Sequence, residues 1–289
     1  AGGRNLLVYD TDGKTLAMFD AVSKVLEKSF DYDVKAACLN DLGCFAVITA
    51  EKTYRSGVVV FDSDGKELFR WMSPDKYLTG VALNANATVV TCTALTNKDG
   101  AFCTELVSYH TATGEKIASR TLEDTLALSI GYAANDAYVY VLSDNAFLSF
   151  DRELNDIGRA SYNPENARFF RAFDDVFLIA ESNNLSGSSM TVRAYGYDAS
   201  PLFECSREET VLDACYRDRT LYLLERDRLS VYDYGTEEPI LTPLVSVPLD
   251  MQYRAVRADT YARYVLIGAK KAKRNSLASL LSDITEQTA

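Results

Sequence analysis

The stretch Val58-Val59-Val60-Phe61-Asp62 is a short apolar run closed by an aromatic and then an aspartate. The same form returns as Leu16-Ala17-Met18-Phe19-Asp20, Leu106-Val107-Ser108-Tyr109-His110, Phe147-Leu148-Ser149-Phe150-Asp151, Val192-Arg193-Ala194-Tyr195-Gly196 and Leu229-Ser230-Val231-Tyr232-Asp233. The aromatics are 42, 48, 41, 45 and 37 residues apart. A β-prone run that recurs every ~40 residues marks a series of small, similar β units, none of which can bury its own apolar faces alone.

Around the opening stretch, residues 34–40, 44–50, 57–62 and 66–72 read as four antiparallel strands, a to d, with turn chemistry at Asn40-Asp41-Leu42-Gly43 and Ser63-Asp64-Gly65. The plan repeats over 78–84, 88–94, 104–109 and 115–122, then over 126–132, 137–143, 146–151 and 157–162. It repeats again over 168–173, 176–181, 190–195 and 202–206, and over 211–216, 220–225, 229–233 and 240–244. The ends are incomplete: 5–10, 14–20 and 24–30 supply b, c and d, while 252–258 and 262–268 supply a and b. The pattern predicts an all-β fold, a β-propeller of four-stranded antiparallel blades, with seven blades favoured over six. The ring is expected to close with both termini in one blade, the missing strands coming from upstream of Ala1, because an uncovered sheet edge is a pairing hazard. Residues 1–269 form the propeller in this reading. Residues 270–289, with the basic cluster Lys270-Lys271-Ala272-Lys273-Arg274, form a tail or a short helix carrying Leu277, Leu280, Leu281 and Ile284 on one side. The aromatic before each aspartate is expected to fill the gap between blades.

Composition supports strands: 18 Tyr and 13 Phe stand against 1 Trp and 6 Pro, in a chain of 289 residues that is 47% hydrophobic. The net charge of −11 repels phosphate backbones and anionic lipid, which excludes a general nucleic-acid or membrane-surface binder. No run approaches the ~18 apolar residues that span a bilayer. The chain opens Ala-Gly-Gly rather than Met, and is expected to be a fragment or a processed form. Cys38, Cys44, Cys92, Cys103, Cys205 and Cys215 form no Cys-x-x-Cys, and with one histidine there is no zinc site of the usual spacing. They are either small buried apolar residues or cross-strand disulfides, Cys92 with Cys103 being the foremost pairing.

The one histidine, His110, occupies a place where four other repeats have aspartate, so it reads as a turn residue rather than a general base. Asp10-Thr11-Asp12-Gly13 and Asp62-Ser63-Asp64-Gly65 lack the third acidic ligand of a calcium loop. Sialidase Asp boxes, the tryptophan docking motifs of quinone-dependent propellers, Trp-Asp repeat signatures and Gly-rich phosphate loops are all unmatched. No catalytic residue, metal ligand or cofactor is therefore assigned. In such meanders the b–c connections emerge on one face, and three here are long and polar: 51–56, 96–102 and 182–189. Tyr54, Arg55 and Phe102 are residue types enriched in contacts and are the candidate partner-binding groups. Lys35, Arg171 and Arg257, on strands of type a, either face the channel and bind a small anion or pair with carboxylates.

Asn5-Leu6-Leu7-Val8-Tyr9-Asp10, Phe61-Asp62-Ser63-Asp64-Gly65-Lys66, Arg70-Trp71 and Val81-Ala82-Leu83-Asn84 resemble a domain-of-unknown-function family of Gram-positive bacteria. Members look like one N-terminal transmembrane helix followed by a β-propeller of WD40 or quinoprotein-like shape. The resemblance implies membrane anchorage through a segment absent from this chain and display outside the cytoplasm; the family carries no catalytic residues to transfer. The expectation is a non-catalytic scaffold that binds a protein or cell-envelope ligand through loops on one face. A carbohydrate-active hydrolase using channel-mouth carboxylates, or a structural spacer or assembly module, are the alternatives.

Overall fold

The structure is a computed structural model and describes residues 5–234, 243–258 and 263–276; every regular element in them is a β-strand. The strands form seven antiparallel sheets, each a simple meander in chain order. The first is β1 (Leu6–Tyr9), β2 (Thr15–Phe19) and β3 (Lys24–Ser29); the second is β4 (Val34–Leu39), β5 (Phe45–Ala50), β6 (Ser56–Phe61) and β7 (Glu67–Ser73). The third is β8 (Tyr77–Leu83), β9 (Val89–Lys98), β10 (Ala101–His110) and β11 (Lys116–Leu122); the fourth is β12 (Ala127–Ala133), β13 (Tyr138–Ser143), β14 (Ala146–Phe150) and β15 (Asp156–Ser161). The fifth is β16 (Ala167–Ala172), β17 (Phe177–Ser182), β18 (Met190–Tyr195) and β19 (Pro201–Arg207); the sixth is β20 (Val211–Arg217), β21 (Thr220–Glu225), β22 (Arg228–Asp233) and β23 (Val245–Pro248). The seventh is β24 (Tyr253–Ala258), β25 (Arg263–Gly268) and β26 (Ala272–Ser276).

Four details depart from the sequence reading. Residues 240–244 were expected to be the last strand of the sixth sheet; β23 instead begins at Val245, where Val245 and Val247 supply the alternation a strand needs and pair with Val231 and Leu229. Residues 240–242 lie outside the described residues. The basic cluster expected in a tail contributes to β26, whose Lys273 and Arg274 lie opposite Leu266 and Val265 on an edge strand, where cations are tolerated. The helix expected beyond it falls on 277–289, outside the described residues. The long polar connection expected at 96–102 is a strand extension: β9 and β10 pair down to Lys98 opposite Ala101, around an Asp99-Gly100 turn with φ of 53° and 88°. Finally, β24–β26 is a sheet of three strands among the described residues, where the sequence reading gave the last unit only strands a and b.

The chain divides into two compact units, residues 1–161 with 197–199 and residues 162–196 with 200–289. In unit one, β6 is buried along its length and feeds two cores by alternation. Val58 and Val60 pack with Leu78, Val81 and Val90 of the third sheet, while Val59 and Phe61 pack with Leu16 and Phe45 towards the first. Phe61 stacks on Phe45 at 4.9 Å and meets Phe30 edge-on at 6.1 Å. Tyr109 turns back in the same way onto Phe69 and Trp71 of the second sheet, at 5.8 and 4.8 Å. In the second and third sheets the recurring aromatic is thus the residue sent towards the preceding sheet, a burial that stabilises by roughly 1.5–3 kcal/mol per side chain.

The aspartate after it closes the next turn. Asp62 Oδ1 accepts the N–H groups of Asp64 and Lys66, and Asp151 Oδ1 accepts those of Glu153 and Asn155. Asp20 does the same for Val22 and Ser23, and the two backbone donors hold its carboxyl below the usual aspartate range. Gly65 completes the Asp62 turn with φ 81°, a conformation that costs glycine nothing. At Gly158 a Cβ would collide with the Asp198 carbonyl and sit 2.7 Å from the Ala199 Cβ, so only glycine lets that turn lie against the fourth sheet.

A hydroxyl stitch joins successive sheets of unit one. Ser56 Oγ donates to the Lys76 carbonyl (2.8 Å) and accepts from the Leu78 N–H (2.9 Å). Thr104 Oγ1 repeats it with the Thr125 carbonyl (2.8 Å) and the Ala127 N–H (2.9 Å). In unit two the equivalent residue is Met190, whose Sδ receives the Val211 N–H at 3.2 Å. There the cores are built from Val192, Leu221, Leu223 and Tyr232, and from Leu229, Val231, Val256 and Tyr264. Buried Glu225 is held by Arg207 (2.6 Å) and Ser230 (3.0 Å).

All six cysteines are free, and the register explains why Cys92 does not bridge Cys103: Cys92 faces Val107 and Cys103 faces Thr96. Burial pushes the Cys38 thiol up to about 12 and raises Cys92, Cys44, Cys205 and Cys215 as well. At pH 8 these five remain thiols, so Ellman's reagent is expected to leave them largely unmodified in the native protein and to titrate all six after unfolding in guanidinium. Thr104→Val keeps the shape of the stitch and removes its oxygen. It is expected to lower stability by about 1–3 kcal/mol in urea melts, because the Ala127 N–H and Thr125 carbonyl lose their partner; the exposed Thr113→Val serves as a near-neutral control.

Candidate functional site

A depression of about 820 Å³ in unit one is built from the β5–β6 connection and the β7–β8 connection. Both connections emerge at the same end of their sheets because β5 runs up to the first and β7 to the second. Lys35 of β4, Glu51, Lys52, Thr53, Tyr54 and Arg55 of the first loop, and Pro74, Tyr77 and Thr79 line it. A smaller depression of about 460 Å³, lined by Lys14, Asp31, Tyr32 and Asp33, shares Ala50, Glu51 and Lys52 with it.

Three residues expected from the sequence, Lys35, Tyr54 and Arg55, meet here. Arg55 donates from Nη1 to the Tyr77 hydroxyl at 2.8 Å, and its guanidinium lies 5.3 Å from the centre of that ring. Lys35 is paired with Asp12, whose carboxylate raises its pKa. Glu51 Oε1 accepts the Thr49 hydroxyl at 2.8 Å. Lys52 and Arg55 have no carboxylate partner among the described residues. Sequence reasoning passed over Tyr77, which is 52% exposed. The signal was available: Tyr77 opens β8 straight after Pro74-Asp75-Lys76, so it stands at the mouth of a connection on the same side as the 51–56 loop.

The other candidates lie elsewhere. Phe102 is 63% exposed at the tip of the β9–β10 hairpin, opposite Asn97, and does not line this depression. Arg171 and Arg257 belong to unit two, where they clamp one fully buried carboxylate. Asp213 Oδ1 accepts Arg171 Nε at 2.7 Å; Oδ2 accepts Arg257 Nη1 at 2.6 Å and the Val256 N–H at 3.0 Å. Of the two uses read from the sequence, pairing with a carboxylate is the one these cations have. The clamp ties β16, β20 and β24, the first strands of three successive sheets.

His110 is exposed and ends β10 opposite Val89: its N–H donates to the Glu115 carbonyl and its carbonyl accepts from Gly114 as the chain turns. The buried carboxylates Asp213, Glu225 and Glu181 are each engaged by arginine. No cluster of three or more His, Cys, Asp or Glu side chains able to hold a metal occurs among the described residues.

The family profile described as a family of unknown function, DUF5711, matches residues 1–242, and the chain belongs to that family. No curated protein matches the chain. Among solved structures, Kluyvelomyces marxianus Hsv2 aligns over 91% of this chain and 85% of its own, with TM-score 0.59 and 9% identity. KlHsv2 with loop 6CD replaced by a Gly-Ser linker aligns over 94% of this chain and 88% of its own, with TM-score 0.61 and 10% identity. The β-propeller domain of Myceliophteria thermophila Cps50 (Swd1) aligns over 94% and 92%, with TM-score 0.53 and 11% identity. At these identities the likeness concerns the fold alone, and the fold is a β-propeller. Within it, Asp213→Ala is expected to destabilise the protein by about 2–3 kcal/mol in urea melts. That is less than the ~3–5 typical of a broken buried ion pair, because both guanidiniums are partly exposed and can rehydrate.

Proposed function

We propose that this member of the DUF5711 family is a non-catalytic propeller scaffold that binds a protein or cell-envelope ligand through the face carrying the 51–56 and 74–77 connections. The observation that supports this reading is the depression in which Tyr54 and Arg55, on the loop between the buried strands β5 and β6, and Tyr77, at the start of β8, stand exposed together. Loops on such a scaffold are where recognition concentrates, and Tyr and Arg dominate contact energetics. The net charge of −11 counts against nucleic acid and anionic membrane surfaces as the ligand.

In the same reading the propeller is the extracytoplasmic part of a membrane-anchored protein. No helix among the described residues is long and apolar enough to cross a membrane, so the anchor is assigned to a segment other than these. Its support is the likeness of the turn and core motifs to a family whose members look anchored.

The test is affinity capture from a detergent-solubilised envelope extract with the 289-residue chain as bait. A partner is expected with the wild-type chain and is expected to be lost with Tyr54→Ala plus Tyr77→Ala, while Phe102→Ala separates the hairpin tip from the depression. Recovery of every partner at wild-type level by the double variant would overturn the loop-face reading.

A further inference from the structure

We propose that the depression of unit one is a carboxylate-binding site for an acidic peptide segment of a partner protein, with Arg55 and Lys52 taking the charge. The proposal rests on the loop-face reading above and names its ligand class.

The first argument is charge. In a chain with 41 acidic and 30 basic residues, the depression is lined by three cations, Lys35, Lys52 and Arg55, and one carboxylate, Glu51. Lys35 is matched by Asp12, and Glu51 turns an oxygen to the Thr49 hydroxyl. Lys52 and Arg55 stay unmatched among the described residues, although acidic side chains are abundant. Other cations of this unit are either paired, as Lys24 with Glu27 and Arg70 with Glu67, or turned to neutral oxygens, as Lys14 to the Asp31 carbonyl, Lys28 to the Gly65 carbonyl and Arg152 to the Asp136 carbonyl; what sets Lys52 and Arg55 apart is that they line the depression together.

The second argument is preorganisation. A free arginine loses rotamer entropy when it binds. Arg55 is already held by the Tyr77 hydroxyl and ring, which uses one of its five N–H donors and leaves an edge of the planar fork for a carboxylate. Bidentate guanidinium–carboxylate pairing is the strong, directional form of this contact.

The third argument selects the source of the carboxylate. A sugar acid stacks its ring on an aromatic platform, and Arg55 already lies over one face of Tyr77, which leaves Tyr54 as the aromatic there with no cation on it among the described residues. A polyphosphate chain or an anionic bilayer carries dense negative charge, which the field of the whole protein repels. A peptide presents isolated carboxylates between neutral residues, which the two cations can match while Tyr54 contacts its apolar parts.

The experiment is an NMR titration of the isotopically labelled chain with a decapeptide of alternating glutamate and glycine, beside the same peptide with glutamine for glutamate. The glutamate peptide is expected to shift the amides of residues 52–56 and 77–79, and to weaken as NaCl rises from about 50 to about 300 mM. The glutamine peptide is expected to leave them unmoved. Arg55→Ala and Lys52→Ala are each expected to weaken binding about tenfold or more. Both residues lie on exposed loop positions, so an unchanged thermal melt checks the fold. Shifts of equal size with the glutamine peptide, shifts confined to other residues, or unaltered binding by both variants would overturn the proposal. So would phosphatidylglycerol vesicles or a uronic-acid oligosaccharide shifting these amides at lower concentration than the peptide. A captured envelope partner that needs Tyr54 and Tyr77 but not Arg55 or Lys52 would sink this site chemistry and leave the loop-face reading intact; absence of any captured partner strikes the reading itself.

Discussion

A four-stranded twisted meander has two apolar faces and no means of covering either by itself, and this constraint governs the molecule. β6 shows the solution in five residues: alternate side chains of Val58-Val59-Val60-Phe61 go to opposite neighbours, and only the aspartate that follows returns to solvent. Each sheet is therefore folded only in the company of the next within its unit. The hydroxyl stitches at Ser56 and Thr104 then fix the register between neighbours, which van der Waals packing alone leaves free to slide. A stitch that uses both capacities of one hydroxyl leaves no buried backbone group unpaired where the chain passes from one sheet to the next.

Much of this was legible in the chain because the repeat couples two signals of different origin. The aromatic reports burial between sheets, as Phe61, Tyr109 and Tyr232 show, and the aspartate reports a turn that needs backbone donors satisfied, as Asp62 and Asp151 show. Where only one signal is present the reading weakens. The β9–β10 hairpin was mistaken for a loop because Thr96, Asn97 and Lys98 are polar; cross-strand pairing, not apolarity, carries those strands outwards, and the Asp99-Gly100 turn was the clue. β26 was missed because lysines and an arginine on an edge strand look like a solvated tail.

The candidate site was half legible for a related reason. Loop position and residue type pointed to Tyr54 and Arg55, but which charges are left over is a property of three-dimensional pairing. Lys35, Arg171 and Arg257 looked alike in sequence; the structure spends the first on Asp12 and the other two on Asp213. Tyr77 gained its importance only from Arg55, a neighbour 22 residues away.

That division of charge carries an argument about what the scaffold is for. Unit two places buried carboxylates, Asp213 and Glu225, where arginines from adjoining sheets can reach them, and so uses ion pairs as ties between sheets. Burying such groups is costly unless every lone pair is met, and Asp213 meets the cost with two guanidiniums and a backbone N–H. Unit one ties its sheets at buried positions with neutral hydroxyls, while its pairs between sheets, Lys35 with Asp12 and Arg120 with Asp156, lie at the surface, and there Lys52 and Arg55 have no carboxylate partner among the described residues. A cation without a carboxylate partner among the described residues, held in place by a tyrosine in a depression lined by three cations and one carboxylate, is a group whose best partner is an anion from outside.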